Sequence, residues 1–368
     1  MIMNVVMKAF DVMMAIADWF FGLPMLVLTI SIAVVYTITN RGFQFTHFFF
    51  VLKETILKSF GKESAVETGR GITPFKATCM ALSNTLGVGN IAGVSLAIAL
   101  GGPGAVFWIW VAGLLGMIIK YGEITLGAKY REVDPETGMY RGGIIWYIDK
   151  GLGKRWKWMA VVYAVIYVIS GVNGPAVQVN TLATSVTSYF DVPSMAVGVV
   201  TVAMLALVLL GGLNRISKFA EKVIPTMSLT YIFIVIVIIV IHIQDLPATI
   251  GMIFKYAVTD CQAGIDGFAG ASVGMAIRYG IARGFYSNGA GTGDSTFAHS
   301  SADVDHPSKQ GIWGITEVVV DAVVCTGTAL IVLVTAHGKQ GKVALPLRRG
   351  RSAMRLGAQP LAVFLSWL

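Results

Sequence analysis

Charge is what this sequence has least of. Only 13% of its 368 residues are Asp, Glu, Lys or Arg, about half the roughly 25% of a soluble domain, which excludes a globular protein with a charged, solvated surface. Cysteine is almost missing as well. Cys79, Cys261 and Cys325 stand far apart in apolar runs, so neither a disulfide framework nor a zinc or redox spacing is available, and all three read as core residues. The glycine-rich run 287–294, SNGAGTGD, has no Gly-Lys-Ser/Thr ending, which argues against a nucleotide P-loop. The start, MIMNVVMKAFDVMMAIAD, lacks a basic region followed by a small-x-small site, so no cleavable signal is expected.

What is present is apolar. The chain is 55% hydrophobic with 42 glycines and a mean hydropathy of +0.71, the composition of an all-α polytopic membrane protein whose helices use glycine at interfaces and breaks. A net charge of +8 requires no nucleic-acid partner once its placement along the chain is considered.

Residues 1–18 read as an amphipathic interfacial segment, because a span needs about 20 apolar residues. Eight spans are expected after it. They are 19–39, a broken second span from Pro74 to about Leu100, 105–127, a fourth from Trp158 to Tyr189 interrupted at Asn173-Gly174-Pro175, then 192–211, 223–243, 264–281 and 311–335. A polar connection, 40–73, joins the first two, and a charged loop, 128–157, follows the third. Twenty Lys and Arg fall on one side of this arrangement, in segments 41–76, 129–157, 215–222 and 278–309 and at Lys120, against Lys8 and Lys255 on the other. The excess marks the cytoplasmic side and places the N-terminus outside, in a multi-pass protein of the cell (inner) membrane. Residues 1–335 then form the transmembrane domain. Residues 336–368 carry six basic and no acidic residues and read as an unrelated basic tail, of the kind a frameshift or premature end produces.

The second span carries the chemistry. Ser83-Asn84-Thr85-Leu86-Gly87-Val88-Gly89-Asn90 puts polar side chains and glycines at the hydrocarbon centre, where each unsatisfied backbone group costs several kcal/mol unless it is buried in protein or lines a cavity. A discontinuous helix that builds a binding site answers this, with its half-helix N-terminus toward an anionic group and loose carbonyls toward a cation; close helix packing through small residues is the alternative. Gly87 to Ala92 also match G-x-G-x-x-A, but that fingerprint belongs between a strand and a helix, and both flanks here are apolar helix. Gly267, Gly270, Gly274 and Ser272 make the seventh span a candidate for local unwinding. The run 287–294 reads as a hinge, a gate or a plain connection. His299, Asp303, Asp305 and His306 read as a solvated loop, without metal spacing. Glu123, Asp266, Glu317 and Asp321 are the acids within or near spans, where ionisable residues mark pathways by default; Asp321 needs a partner. Gln178 and Asn180 face inward if the fourth span's interruption lines a cavity.

Three blocks, SNTLGVGNIAGVSLAIALGGPGAVFWIWVAGLLGMIIKYGEITLGAKYRE, GFAGASVGMAIRYGIARGFYSNGAGTGDS and HPSKQGIWGITEVVVDAVVCTGTAL, resemble the alanine or glycine:cation symporters, the sodium:alanine symporter group. The likeness covers roughly 15–335. It implies a leucine-transporter-like fold, in which one extra helix, here 19–39, precedes two inverted five-helix repeats that start at 74. It also implies uptake of small neutral amino acids driven by Na⁺, or in some members H⁺, with no catalytic chemistry and no further cofactor. By the same correspondence Thr85 and Asn90 help hold one sodium, the carbonyls of Ser83 and Leu86 face a second, and Asn84 and Gly89 lie near the substrate carboxylate. Gly267, Phe268 and Gly270 would form the unwound centre of the sixth core helix, and Gln178 would face the same cavity from the third. Two departures stand out. Family members read Ser-Asn-Glu-Ala-Gly where this chain has Ser287-Asn288-Gly289-Ala290-Gly291, and the last three core helices are missing. The reading that follows is a cation-coupled carrier working by alternating access. Its alternative is an inactive remnant or interaction protein, and a pore is disfavoured because midplane breaks suit occlusion better than conduction.

Overall fold

The computed structural model describes residues 23–58, 68–190, 192–262 and 270–337. The interfacial segment 1–18, the start of the first span, Asp266, Gly267, Phe268 and the tail from 338 lie outside the described residues.

Helix α1 is Leu23–Thr39. The broken span is two helices: α2, Pro74–Thr85, starts at Thr73, whose hydroxyl accepts from the Lys76 N–H with Pro74 in the first turn, a favourable start since proline lacks an N–H there. After Leu86 leaves helical geometry, α3 runs Gly89–Gly101 at 53° to α2, opening with a π-helical turn over Gly89–Gly93. Gly102, at φ +70°, turns the chain into α4, Ala105–Lys129. Then come α5, Lys157–Tyr189; α6, Ser194–Leu209; α7, Gly212–Ile241; α8, Leu246–Val258; α9, Val273–Asn288; α10, Ser295–Ser300; and α11, Pro307–His337. Among the described residues α4, α5, α7 and α11 are long and apolar enough to cross a membrane, and the α2–α3 pair makes a fifth span if counted as one.

Several expectations change. Helix α5 continues unbroken through Pro175, so the expected interruption at Asn173-Gly174-Pro175 is absent. An apolar helix alone can hold its hydrogen bonds past one proline when neighbouring groups take up the freed carbonyl. Segment 40–73 is partly helical: Phe43–Thr46, Phe48–Leu52 and a π-helical stretch Lys53–Leu57 bury Thr55 against Thr316 while Phe49 stays exposed. Of the seventh span, residues 264–269 lie outside the described residues; its helix α9 starts at Val273, where the Ser272 hydroxyl caps the Met275 N–H, and α8 had not been expected.

Helices α4, α9 and α11 form the core. Gly280 and Gly284 let α9 press on α4: a Cβ on either would lie 2.4 Å from Ala105 O or Ala112 Cβ, respectively. Val94, Ile98, Ala105, Val106, Ile109, Ile253, Cys325, Ala329 and Leu333 fill the outer part of this core, whereas α5, α6 and much of α7 present exposed apolar faces, as lipid-facing helices do.

The basic segments 41–76, 129–157 and 215–222 meet the 301–309 stretch at one end, whereas Arg278 and Arg283, counted with them from the sequence, lie on α9 away from that end. A two-stranded ribbon, β1 (Glu132–Val133) and β2 (Tyr140–Arg141), donates its Tyr140 N–H to Arg70 O; Arg131 donates to the carbonyls of Ala302 and Val304, and Lys76 pairs with Glu221 at 3.5 Å. There Ile72 also bridges to the 301–303 backbone: its N–H donates to Ser301 O at 2.9 Å and its carbonyl accepts from Asp303 N at 2.8 Å. The opposite end is closed by Cys261 pairing with Ala271 over Gly102.

Candidate functional site

The break between α2 and α3 is bounded on both sides by carboxylates from one helix. Glu317 and Asp321, one turn apart on α11, are both buried. On the inner side Thr85 Oγ1 donates to Glu317 Oε1 at 2.6 Å. On the outer side Asn90 Nδ2 donates to Asp321 Oδ1 at 2.5 Å and to Ser287 Oγ at 3.2 Å, and Ser287 donates to the same Asp321 oxygen at 2.8 Å. The Asn90 carbonyl oxygen accepts from the Gly87 N–H at 3.0 Å, which satisfies one backbone donor freed by the break. Asp321 therefore has the internal partners its position demands, and Cys325, expected as plain core, lines the same spot 3.1 Å from Ser287 Oγ.

A second chain discontinuity meets the first. Helix α9 ends at Asn288 with Gly289 in the left-handed region, φ +61°, and the chain crosses to α10 through Gly291 and Gly293, both also at positive φ, a conformation that favours glycine. The glycine-rich run is thus the connection between two helices at the level of the first break. Asn84 Nδ2 donates to Asp294 Oδ2 across it at 2.6 Å.

Between the two breaks sits Lys120 of α4, fully buried. Its ammonium donates to Ser295 Oγ at 2.6 Å and lies 3.5 Å from Glu317 and 3.7 Å from Asp294. Ser295 donates to Glu317 at 2.7 Å. His299, fully buried, accepts from the Gln310 amide at Nδ1, 2.6 Å, which leaves its proton on Nε2 facing Glu317 Oε2 at 3.2 Å. The expected solvated loop is therefore half wrong. Asp305 and His306 are exposed, but His299 and Asp303 are buried because α10 folds back under α2 and α11. Gly289 replaces the glutamate that the resemblance expects, and a side chain there would point at Lys120 Nζ and Asp294 Oδ1, both within 3.4 Å of its Cβ. Asp294 supplies the charge instead.

Of the remaining site expectations, Gln178 reaches the break: its amide lies 3.0 Å from where a Gly87 Cβ would stand. Asn180 is exposed. Ser83 is exposed and its hydroxyl turns back to Met80 O at 2.6 Å; Leu86 is buried. Gly89 abuts the Arg283 guanidinium. Gly270, at φ +88°, adjoins Ala271, which packs on Gly102 at the far end of α3. Lys120, Ser287, Asp294, His299 and Arg283 escaped the sequence reading. Lys120 carried a signal, a cation sixteenth in a 25-residue apolar helix, but the basic count had assigned it to a span end.

In all, the carboxylates of Glu123, Asp294, Glu317 and Asp321 share this interior with two fixed cations, Lys120 and Arg283. Glu123 is held by the Gly291 N–H. Among the described residues no three His, Cys, Asp or Glu converge as a transition-metal site; the donors are carboxylate, amide and hydroxyl oxygens, which suit hard cations.

Broken apolar helices around buried paired charges define a membrane carrier rather than an enzyme. The chain belongs to the sodium:alanine symporter family, whose sequence profile matches residues 6–362; the match thus runs beyond residue 335, where the basic tail was expected to begin. It is 39% identical over 320 residues to the uncharacterized transporter YflA of Bacillus subtilis, covering 86% of this chain and 66% of that protein. It is 36% identical over 317 residues to the sodium/alanine symporter AgcS of Methanococcus maripaludis, covering 85% and 68%, and 36% identical over 277 residues to the amino-acid carrier protein AlsT of Bacillus subtilis, covering 75% and 58%. The chain spans roughly two thirds or less of the length of these curated relatives.

Proposed function

We propose that this chain takes part in cation-coupled uptake of small neutral amino acids, alanine or glycine, with Na⁺ as the coupling ion, by alternating access in a leucine-transporter-like arrangement of inverted repeats. The observation that supports this most is the triad of Asn90, Ser287 and Asp321, buried beside the bend between α2 and α3. A carboxylate there costs several kcal/mol to keep charged without a counter-ion, and among the described residues four carboxylates share this interior with two cations, Lys120 and Arg283. A small hard cation entering among these oxygens offsets that excess, and the ordering it brings to both breaks creates the place where a zwitterion binds. The gathering of basic segments at one end supports an inner-membrane topology with the N-terminus outside.

The experiment is uptake of labelled L-alanine and glycine by vesicles holding the expressed chain, with sodium, choline or a proton gradient imposed. Uptake driven by sodium and abolished in Asn90→Ala is expected. Equal uptake in choline without a pH gradient overturns the coupling, and sodium-independent proton-driven uptake reassigns the ion.

A further inference from the structure

Of the two cations in this interior, Lys120 pairs with Glu317 and Asp294, whereas Arg283 has no ion-pair partner among the described residues. Arg283 lies one turn before Ser287 on α9, with its guanidinium against the start of α3: a Cβ on Gly93 would fall 2.2 Å from its Cζ, and one on Gly89 2.8 Å from a terminal nitrogen. Those two glycines, one turn apart, form the slot that admits it. The guanidinium carbon is 5.1 Å from the Tyr286 ring centroid. Among the described residues its buried Nε has no hydrogen-bond partner, and no carboxylate lies within ion-pair distance of the group. Asp321 is within electrostatic reach but is already bonded to Asn90 and Ser287.

An unpaired guanidinium at the depth of a midplane break is expensive, and a packing role would be served by an uncharged side chain. Its planar fork of donors matches a carboxylate in a two-point contact. It also lies beside the N-terminal end of the outer half-helix, 13 residues long, whose dipole favours negative charge. Opposite, across Asn90 and Ser287, stand Asp321 and the further carboxylates. The site has a positive pole and a negative pole separated by one helical turn.

We propose that Arg283 is the residue that recognises the carboxylate of the transported solute, and that it restricts transport to α-amino monocarboxylates over amides and simple amines. This deepens the function proposed above and rests on it. In this arrangement the guanidinium and the first N–H groups of α3 take the carboxylate, while the ammonium faces the Asp321 side. Gly89 and Gly93 are the specificity-determining floor, since any side chain there displaces the fork.

The test is ligand binding by the purified full chain in nanodiscs with saturating sodium, read by thermal stabilisation, with L-alanine, L-alaninamide, ethylamine and acetate as probes. Alanine is expected to bind at least about 10-fold more tightly than alaninamide or ethylamine, the range of one charge-assisted hydrogen bond. Arg283→Gln should weaken alanine about 10- to 100-fold and erase its advantage over alaninamide; Arg283→Lys should restore part of it. Gly93→Ala, which keeps the arginine but fills its slot, should mimic Arg283→Gln and covers the case in which that variant does not fold. Unchanged alanine affinity in either variant, or alaninamide binding as well as alanine to the unaltered chain, overturns the proposal while leaving amino-acid uptake standing. Arg283-dependent binding of acetate without alanine binding sinks the amino-acid reading and keeps a carboxylate site. Binding of none of the probes overturns both.

Discussion

Asn90 and Asp321, 231 residues apart in sequence, meet at 2.5 Å in a site where both are buried. The amide donates, the carboxylate accepts, and Ser287 donates to the same oxygen. Removing the amide leaves a buried carboxylate short of one donor, a loss of about 1–3 kcal/mol. Asn90→Ala should therefore abolish sodium-driven uptake and lower the melting temperature, whereas Asp321→Asn should spare the fold and abolish sodium dependence. Retained sodium dependence in Asp321→Asn contradicts this; uptake against sodium concentration is the measurement.

Lys120 offers a stability test. Its ammonium is shared by Glu317 and Asp294 at 3.5 and 3.7 Å, so Lys120→Met strands two acids inside the bundle and should cost about 3–5 kcal/mol. Adding Glu317→Gln removes one stranded charge and should recover part of the loss. Thermal unfolding of the single and double variants decides, and strictly additive losses count against a coupled pair.

Helix packing gives a prediction independent of transport. A Cβ at Gly104 would stand 2.0 Å from the Tyr256 carbonyl oxygen, and one at Gly280 2.4 Å from that of Ala105. Backbone cannot yield as a flexible side chain does. Gly104→Ala and Gly280→Ala should each destabilise by about 1–3 kcal/mol, while Gly171→Ala, with open space around it, should not. Equal melting temperatures for all three defeat the packing argument.

At the basic end, Glu132 accepts from Lys150, Trp146 and Arg141, and these bonds hold its carboxyl down to about 2. Because the folded value is depressed, the contribution of this cluster is full above the ordinary glutamate value of roughly 4.3, and it declines as pH falls toward 2. Protease sensitivity of segment 131–150 should rise over that window. In Glu132→Gln the sensitivity should be higher at neutral pH and flat through the same window; an unchanged pH profile in the variant refutes the assignment.

The break at Leu86–Val88 was legible because polarity in a span-length apolar run has few physical excuses, and the acids at 317 and 321 announced themselves the same way. Their partners were not. Asp294, His299 and Lys120 look like loop or span-end residues in one dimension, and only the return of α10 beneath α2 turns them inward. Periodicity located α4 and α11 well, since each is a long uninterrupted apolar helix. It ended the seventh span at 281, whereas α9 continues to Asn288, because glycines at 289–293 give the same composition signal as those at 264–274. Only the chain path, with positive φ at Gly289, Gly291 and Gly293, distinguishes the break from the turn. Arg283 was hidden for a different reason: an arginine near a span end reads as interfacial, and its burial depends on two glycines in another helix.

The Ile72 bridge to the strand-like stretch at Ser301 and Asp303 fastens the start of α2 to the end of α10 by two backbone hydrogen bonds, reinforced by Thr68 on Asp303. Backbone clamps of this kind do not stretch. The start of α2 and the end of α10 are thereby yoked, so under the alternating access proposed above the two would swing as one two-limbed lever.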